Sequence, residues 1–142
     1  GFGNPYGDPY NEEIVSEWVE ALLKNDIRIL SLADTVGLAT ADQVYTMTRH
    51  LITSLPHIEI GVHLHSTPDN WRSKMEAALQ AGCMRFDGAL KGVGGCPMAN
   101  DELVGNMDTE KMIGWLTQQN RLPALNQAAL NESLILANRI FN

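Results

Sequence analysis

Two histidines lie at the end of an otherwise apolar stretch, "IEIGVHLHSTP", which runs from Ile58 to Pro68. His63 and His65 are two residues apart, and on a β-strand this spacing directs both side chains to the same face. An unpaired buried imidazole costs about 1–3 kcal/mol, so both rings need partners. A divalent metal would satisfy both rings, and hydrogen bonds to loop carbonyls would do the same. The spacing alone leaves both interpretations open.

Two other apolar stretches also end in groups that could take part in chemistry. Asp34 follows "IRILSLA", and Asp87 lies within "CMRFDGAL". In parallel α/β folds, catalytic groups lie at the carboxyl ends of the strands. We therefore expect both aspartates to lie at the same edge of a sheet as the histidine pair.

A glycine-rich stretch, "GVGGCPMANDELVGN", follows the third of these apolar stretches. Its four glycines let the backbone approach a ligand closely or move as a lid. Cys96 lies in the middle of this stretch, where a thiol could act in proton transfer or as a nucleophile. An incidental loop thiol fits the same pattern. Cys83 lies between a predicted helix and a predicted strand, and we interpret it as a small buried apolar residue.

A repeating alternation of strands and helices is predicted to position these groups. Apolar stretches typical of parallel sheets predict strands at about residues 27–35, 58–65 and 84–90. Helical spacing and capping residues predict helices at about residues 12–24, 40–55, 68–81, 109–119 and 127–140. Thr40 and Gln43 form a capping-box pattern, and Thr67 is expected to cap a helix that begins at Pro68. The stretch "RLPAL" fits a short strand or a loop.

The predicted fold class is α/β, with parallel βα repeats. Either a doubly wound sheet or part of a (β/α)8 barrel fits this pattern. A whole barrel typically needs about 250 residues. The 142 residues of this chain are enough for roughly half of one.

Composition and charge exclude several classes of partner. The formal net charge is −7 and the basic residues are scattered, so we expect no nucleic-acid binding. The longest apolar runs fall well short of the roughly 20 residues that span a bilayer, and the N-terminus does not have the pattern of a secretory signal. Two cysteines do not form a disulfide framework. We therefore expect no membrane association and a reducing, cytoplasmic location.

Four segments, "SLADTVGLAT", "GVHLHSTPDN", "DGALKGVGGCPMANDELVGN" and "DTE", resemble the C-terminal half of the 3-hydroxy-3-methylglutaryl-CoA lyases, in the same order. That family belongs to a superfamily of metal-dependent enzymes built on TIM barrels. The Asp-Thr pair and the spaced histidines are common to the superfamily, whereas the glycine loop with its cysteine points to the lyases. The resemblance implies that residues 1–142 form a single C-terminal half-barrel without its N-terminal half.

The resemblance also implies which residues take part in the reaction. His63, His65 and Asn106 match metal ligands, and Cys96 and Asp34 match catalytic residues. The implied metal is Mg²⁺ or Mn²⁺, with Zn²⁺ or Co²⁺ as alternatives that suit two imidazoles. The implied reaction cleaves a 3-hydroxyacyl-CoA into acetyl-CoA and a keto acid such as acetoacetate, and Cys96 is the candidate for the late proton transfer. An acyl-CoA substrate and a homo-oligomer are the expected partners.

The sequence departs from the family pattern at several positions. Ser66 follows the histidine pair where the lyases usually carry Asp, Lys91 lies where a small residue is common, and the glycine loop is about one residue longer. No Asp-Gly-x-Arg pattern of the family's first strand occurs. We therefore expect the chain alone to be inactive. The alternatives are a synthase or carboxyltransferase of the same superfamily, or a non-catalytic half-barrel that self-associates.

Overall fold

Parallel strands alternate with helices along the chain. The structure, a computed structural model, describes residues 1–3, 6–95 and 104–141. Its elements are α1 (Glu12–Leu23), β1 (Ile29–Asp34), α2 (Ala41–Ser54), β2 (Glu59–Ser66), α3 (Trp71–Gln80), β3 (Arg85–Asp87), a 3₁₀ turn (Leu90–Gly92), β4 (Gly105–Asn106), α4 (Thr109–Gln118) and α5 (Gln127–Ile140). None of the helices in these described ranges is long and apolar enough to cross a bilayer.

The sheet has β2 at its centre. Strands β1, β2 and β3 are parallel and lie in that order, with Leu32 opposite Val62 and Val62 opposite Phe86. The short β4 runs antiparallel to the carboxyl end of β2. This arrangement confirms the predicted parallel βα repeats. Within the described residues the sheet stays open and does not close into a barrel.

The two faces of the sheet have different surroundings. Side chains alternate between the faces along each strand, and residues opposite each other in a parallel pair share a face. Leu32, Val62 and Leu64 lie on the face covered by the helices and belong to the buried core. Ile29, at the start of β1 on the other face, is 49% exposed. The helix-covered face therefore provides the core, and the open face is available for chemistry.

Several predicted helix boundaries are confirmed. Thr40 caps α2: its Oγ accepts from the Gln43 N–H at 3.2 Å, and the Gln43 side chain accepts from the Thr40 N–H at 2.9 Å. Asp108 and Asn126 cap α4 and α5 through side-chain oxygens. The stretch "RLPAL" is a loop.

The predicted start of α3 is wrong. The helix begins at Trp71, and Thr67 does not cap it. Instead, the Asn70 side chain accepts from the Thr67 N–H at 2.8 Å, and the Trp71 N–H bonds to the Thr67 carbonyl at 3.3 Å. These bonds close a separate turn between β2 and α3, which places Pro68 outside the helix.

The third strand is shorter than predicted, and β4 was not predicted at all. β3 ends at Asp87, because the chain turns at Leu90–Gly92 and Lys91 takes a left-handed backbone conformation with φ 60°. The other two predicted strands, 27–35 and 58–65, are observed as Ile29–Asp34 and Glu59–Ser66. β4 has only two residues and lies in the glycine-rich stretch, so its sequence has no alternation to indicate a strand.

Cys83 is a buried residue of the core, as predicted. It is fully inaccessible, and its Sγ donates to the Arg85 carbonyl at 3.1 Å. Burial raises the pKa of the Cys83 thiol to about 11. The thiol is therefore protonated at neutral pH, and its role is packing.

This burial predicts the reactivity of Cys83. In a Cys96→Ser variant, Cys83 is the one remaining thiol of the chain. At pH 8 we expect iodoacetamide to modify the folded variant at least about 100-fold more slowly than the unfolded variant, because burial restricts access and disfavours the thiolate. Mass spectrometry of timed samples measures both rates. Similar rates in buffer and in denaturant would show that Cys83 is accessible.

Candidate metal centre

His63 and His65 lie together on the open face of the sheet. Their ring centroids are 5.4 Å apart and their planes are inclined at 61°. His63 is half-buried and lies opposite Ala33 and Asp87 in the strand register, whereas His65 is buried. The prediction that both imidazoles share a face is confirmed.

Asn106 joins this pair because β4 lies against the end of β2. Asn106 is directly opposite His65 in the antiparallel register. Its Nδ2 donates to the carbonyls of Val93, at 2.8 Å, and Gly94, at 3.2 Å. The Asn106 backbone N–H also bonds to the Gly94 carbonyl, at 2.9 Å. The loop therefore uses the amide NH₂ and fixes the orientation of the side chain, and Oδ1 is left for another partner.

Two buried polar atoms of this group lack a hydrogen-bond partner of acceptable geometry among the described residues. They are His65 Nδ1 and Asn106 Oδ1. Leaving such atoms unsatisfied costs about 1–3 kcal/mol each. The Asn106 side chain is near enough to His65 to act on its pKa, so the two side chains face each other and one shared partner would satisfy both atoms. Two imidazole nitrogens and an amide oxygen are donors that a divalent metal accepts. The residues present therefore fit a metal ion.

The electrostatic surroundings favour the metal-binding form of His65. Burial, and next the neighbouring His63, lower the pKa of His65. The charge of Asp34 raises this pKa and that of Lys74 lowers it, both more weakly, and the interaction with the Asn106 side chain raises it least. His65 is therefore neutral at pH 7, and neutral imidazole is the form that binds a metal.

Within the described residues, the candidate centre has few acidic groups. In residues 1–3, 6–95 and 104–141, no three His, Cys, Asp or Glu side chains lie close enough together to hold a metal. The nearest acidic position in the register is Asp87, opposite His63. Its Oδ2 accepts from Ser31 Oγ at 2.6 Å. The described residues therefore offer two imidazoles and one amide.

The glycines before Cys96 allow the loop to approach β4. Gly94 has φ +84°, and a Cβ added there would lie 3.1 Å from Asn106 Nδ2. A Cβ added at Gly95 would lie only 2.7 Å from the Val104 carbonyl oxygen. Side chains at these positions would displace β4 and with it Asn106. Cys96 itself lies outside the described residues.

Asp34 is at the same edge of the sheet but on the opposite face. It pairs with Leu64, the residue between the two histidines, so its side chain points toward the helices. Asp34 is 2% exposed, and its Oδ1 accepts from the Ala39 N–H at 3.2 Å. Its Oδ2 accepts from Lys74 Nζ at 2.8 Å. Asp34 thus faces the helices while the histidine rings lie on the open face, and its catalytic role stays a prediction.

Lys74 was not identified from the sequence. The residue is 1% exposed, and its Nζ also donates to the carbonyls of His65, at 2.9 Å, and Gly37, at 3.1 Å. A helical lysine normally extends into solvent, so its type alone suggested a surface position. Its burial could have been inferred from the helical spacing, because Lys74 lies on the apolar face of α3, next to Met75 and one turn before Ala78.

Two departures from the lyase pattern also have structural roles. The Ser66 hydroxyl is buried and donates to Met107 Sδ at 3.5 Å. The Lys91 backbone N–H donates to Glu110 Oε2 at 2.9 Å, which ties the 3₁₀ turn to the first turn of α4. Both residues therefore help to hold the segments on either side of the glycine-rich stretch.

Comparison with known proteins identifies the family of this chain. The sequence profile of the HMGL-like family matches residues 2–136. The chain belongs to the HMGL-like family. It is 38% identical over 119 residues to hydroxymethylglutaryl-CoA lyase YngG of Bacillus subtilis, covering 81% of this chain and 40% of the relative. It is 34% identical over 115 residues to (R)-citramalyl-CoA lyase of Chloroflexus aurantiacus, covering 78% and 36%.

A solved structure confirms the fold of this HMGL-like chain. An HMG-CoA lyase from Acinetobacter baumannii, in complex with coenzyme A and 3-methylmalate, superposes with a TM-score of 0.78 and 32% identity. The superposition covers 91% of this chain and 42% of that structure. The parallel βα repeats are therefore part of a TIM barrel. The chain spans about 40% of the length of the curated relative that it matches at 38% identity.

The buried Asp34–Lys74 pair predicts a large effect on stability. Removing one partner of a buried ion pair leaves an uncompensated charge, which typically costs 3–5 kcal/mol, so we expect about that loss in Lys74→Met. The double variant Asp34→Asn/Lys74→Met carries no buried charge, and its loss should be smaller. Urea unfolding followed by circular dichroism measures the free energies of unfolding.

An exposed pair on the same helix provides the matched control. Arg72 and Glu76 form an ion pair with Nε–Oε1 3.1 Å, and their side chains are 62% and 41% exposed. Arg72→Met should change the free energy of unfolding by less than about 1 kcal/mol. Equal effects of Arg72→Met and Lys74→Met would contradict a structural role for the buried pair.

Proposed function

We propose that the complete protein is a carbon–carbon lyase that cleaves a 3-hydroxyacyl-CoA in a reaction that requires a divalent metal. The observation that supports this most directly is a pair of buried atoms without a hydrogen-bond partner, His65 Nδ1 and Asn106 Oδ1, beside His63 in a chain of the HMGL-like family. Since the chain spans well under half of its relatives' length, the proposal concerns the whole enzyme.

The proposed substrate is 3-hydroxy-3-methylglutaryl-CoA or a close analogue. The two relatives described above are named as lyases of hydroxymethylglutaryl-CoA and of citramalyl-CoA, and the Acinetobacter structure contains coenzyme A. Both named acyl groups carry a hydroxyl β to the thioester. A base on the enzyme takes the hydroxyl proton, and the oxygen becomes a carbonyl as the bond between the α and β carbons breaks. The electron pair passes to the departing fragment as the enolate of acetyl-CoA, which is then protonated. With 3-hydroxy-3-methylglutaryl-CoA the second product is acetoacetate.

Each candidate residue of this chain has a proposed role in that reaction. His63, His65 and Asn106 would hold the metal, which supplies Lewis-acid stabilisation of the negative charge on the substrate oxygen. Mn²⁺ or Mg²⁺ is the proposed ion, and Zn²⁺ or Co²⁺ also suits imidazole donors. Cys96 is the proposed donor of the proton that completes acetyl-CoA. Asp34 is retained as a proposed catalytic residue, although its contacts with Lys74 and Ala39 also suit a purely structural role.

A chimera can test this proposal directly. Residues 1–142 replace the matching segment of the Bacillus subtilis lyase, and release of acetyl-CoA from 3-hydroxy-3-methylglutaryl-CoA is measured with Mn²⁺ or Mg²⁺. We expect turnover, and we expect His63→Ala and His65→Ala each to lower kcat/KM by at least about 100-fold, since a metal supplies several kcal/mol of transition-state stabilisation.

The exposed His57 serves as the control. His57→Ala should leave kcat/KM of the chimera unchanged. A chimera that folds and binds coenzyme A but gives no turnover with hydroxymethylglutaryl-CoA or citramalyl-CoA would contradict the lyase proposal. A chimera in which Cys96→Ala leaves the rate unchanged would instead favour a synthase or carboxyltransferase of the same superfamily.

The isolated chain should behave differently from the chimera. We expect residues 1–142 alone to show no turnover of 3-hydroxy-3-methylglutaryl-CoA, because the family's Asp-Gly-x-Arg pattern does not occur in this sequence. A coupled assay for acetyl-CoA at high protein concentration measures this. Any turnover above the buffer rate that His65→Ala abolishes would overturn the expectation.

Sedimentation distinguishes the non-catalytic alternative. A self-associating half-barrel would form dimers that are insensitive to EDTA and to His63→Ala. The lyase proposal instead expects a metal site that both treatments remove. Metal-independent dimers without a titratable metal site would favour self-association as the function of the chain.

A further inference from the structure

The ammonium group of Lys74 has all of its hydrogen-bonding capacity in use. A lysine ammonium carries three N–H donors. Nζ has three acceptors within hydrogen-bond distance: Asp34 Oδ2 at 2.8 Å, the His65 carbonyl at 2.9 Å and the Gly37 carbonyl at 3.1 Å. The three acceptors come from the end of β1, the turn after β1 and the end of β2. One buried group therefore joins three backbone segments at the rim of the sheet.

The bond to the His65 carbonyl forms where the sheet ladder stops. The parallel pairing of β1 with β2 ends at Asp34 and Leu64, so His65 is the next residue of β2 and has no partner in β1. Lys74 bonds its carbonyl on that side. On the other side, pairing with Asn106 of β4 holds His65. The backbone of the candidate ligand is thus held from both sides, by a buried cation and by a strand.

We propose that Lys74 is a positioning residue of the candidate metal centre: its ammonium fixes the backbone of His65 so that the imidazole meets Asn106 Oδ1 at the metal. This inference rests on the proposed function, because it assigns Lys74 a part in the same site. Ligands of a metal must be held within about 0.5 Å of their productive positions, so loss of a bond to the ligand's own backbone weakens binding.

The direction in which metal affinity changes when Lys74 is replaced distinguishes a positioning role from a purely Coulombic one. Lys74 is a cation close to a site for a cation, so a purely Coulombic role predicts that its removal tightens metal binding. Positioning predicts the opposite. The double variant Asp34→Asn/Lys74→Met removes one charge of each sign and leaves the net charge unchanged. In this variant a change in metal affinity reports the lost bonds to the His65 and Gly37 carbonyls and not a change in net charge.

The experiment measures Mn²⁺ binding by the whole chain, using the electron paramagnetic resonance signal of free Mn²⁺. We expect the Kd to rise about 10–100-fold in Lys74→Met and in Asp34→Asn/Lys74→Met, the range typical of groups that support metal ligands. Circular dichroism checks that each variant is folded. If Lys74→Met alone does not fold, the charge-neutral double variant decides the question.

Leu51→Ala controls for a general loss of stability. Leu51 is a buried core residue near the end of α2, which leads into the amino end of β2, whereas His65 lies near the opposite end of that strand. The truncation weakens the core without touching the rim, so the Kd should stay within about twofold of the wild-type value. A fall in affinity as large as that of the Lys74 variants would overturn the proposal.

The remaining outcomes separate this inference from the proposed function. A folded double variant that binds Mn²⁺ as tightly as the wild type, while His65→Ala abolishes binding, overturns the role of Lys74 and leaves the metal centre intact. Equal Mn²⁺ binding by the wild type and His65→Ala refutes the metal centre, and the role of Lys74 with it.

Discussion

The buried pair of Asp34 and Lys74 joins the core of the molecule to its candidate site. Burying two charges is costly, and the cost is offset only when both ions find full complements of partners. Here both do: the carboxylate also accepts from the Ala39 N–H, and the ammonium also bonds two backbone carbonyls. The helix layer and the strand ends consequently depend on the same few bonds. A disturbance of α3 therefore reaches the end of β2 directly.

Strand β2 carries core residues on one face and the candidate metal ligands on the other. Val62 and Leu64 point into the core and are each 1% exposed, while His63 and His65 point to the open face. Strands on either side hold β2 in register, and the core holds its helix-facing side chains. The imidazoles are thus carried on the most constrained strand of the sheet. Such placement on a rigid element holds ligands more accurately than a loop does.

Local patterns predicted the fold class and the shared face of the histidines, because alternation and apolar runs depend on residues close in sequence. The capping of α2 by Thr40 was predicted for the same reason. The long-range features were missed. The pairing of β4 with β2 and the burial of Lys74 depend on segments that meet only in the folded chain. Asn106 was identified from a family resemblance, and its spacing alone would not have indicated a ligand.

The orientation of Asn106 has a consequence for the charge of the centre. The loop carbonyls of Val93 and Gly94 require an NH₂ group at this position, since a carboxylate would face two carbonyl oxygens. The three donors found among the described residues, two imidazoles and this amide, are therefore all neutral. A divalent cation held by them would keep its positive charge nearly undiminished within a protein segment of net charge −7. At position 106 the loop carbonyls thus favour a neutral amide over a carboxylate, which leaves more of a bound cation's charge available to attract an anionic ligand.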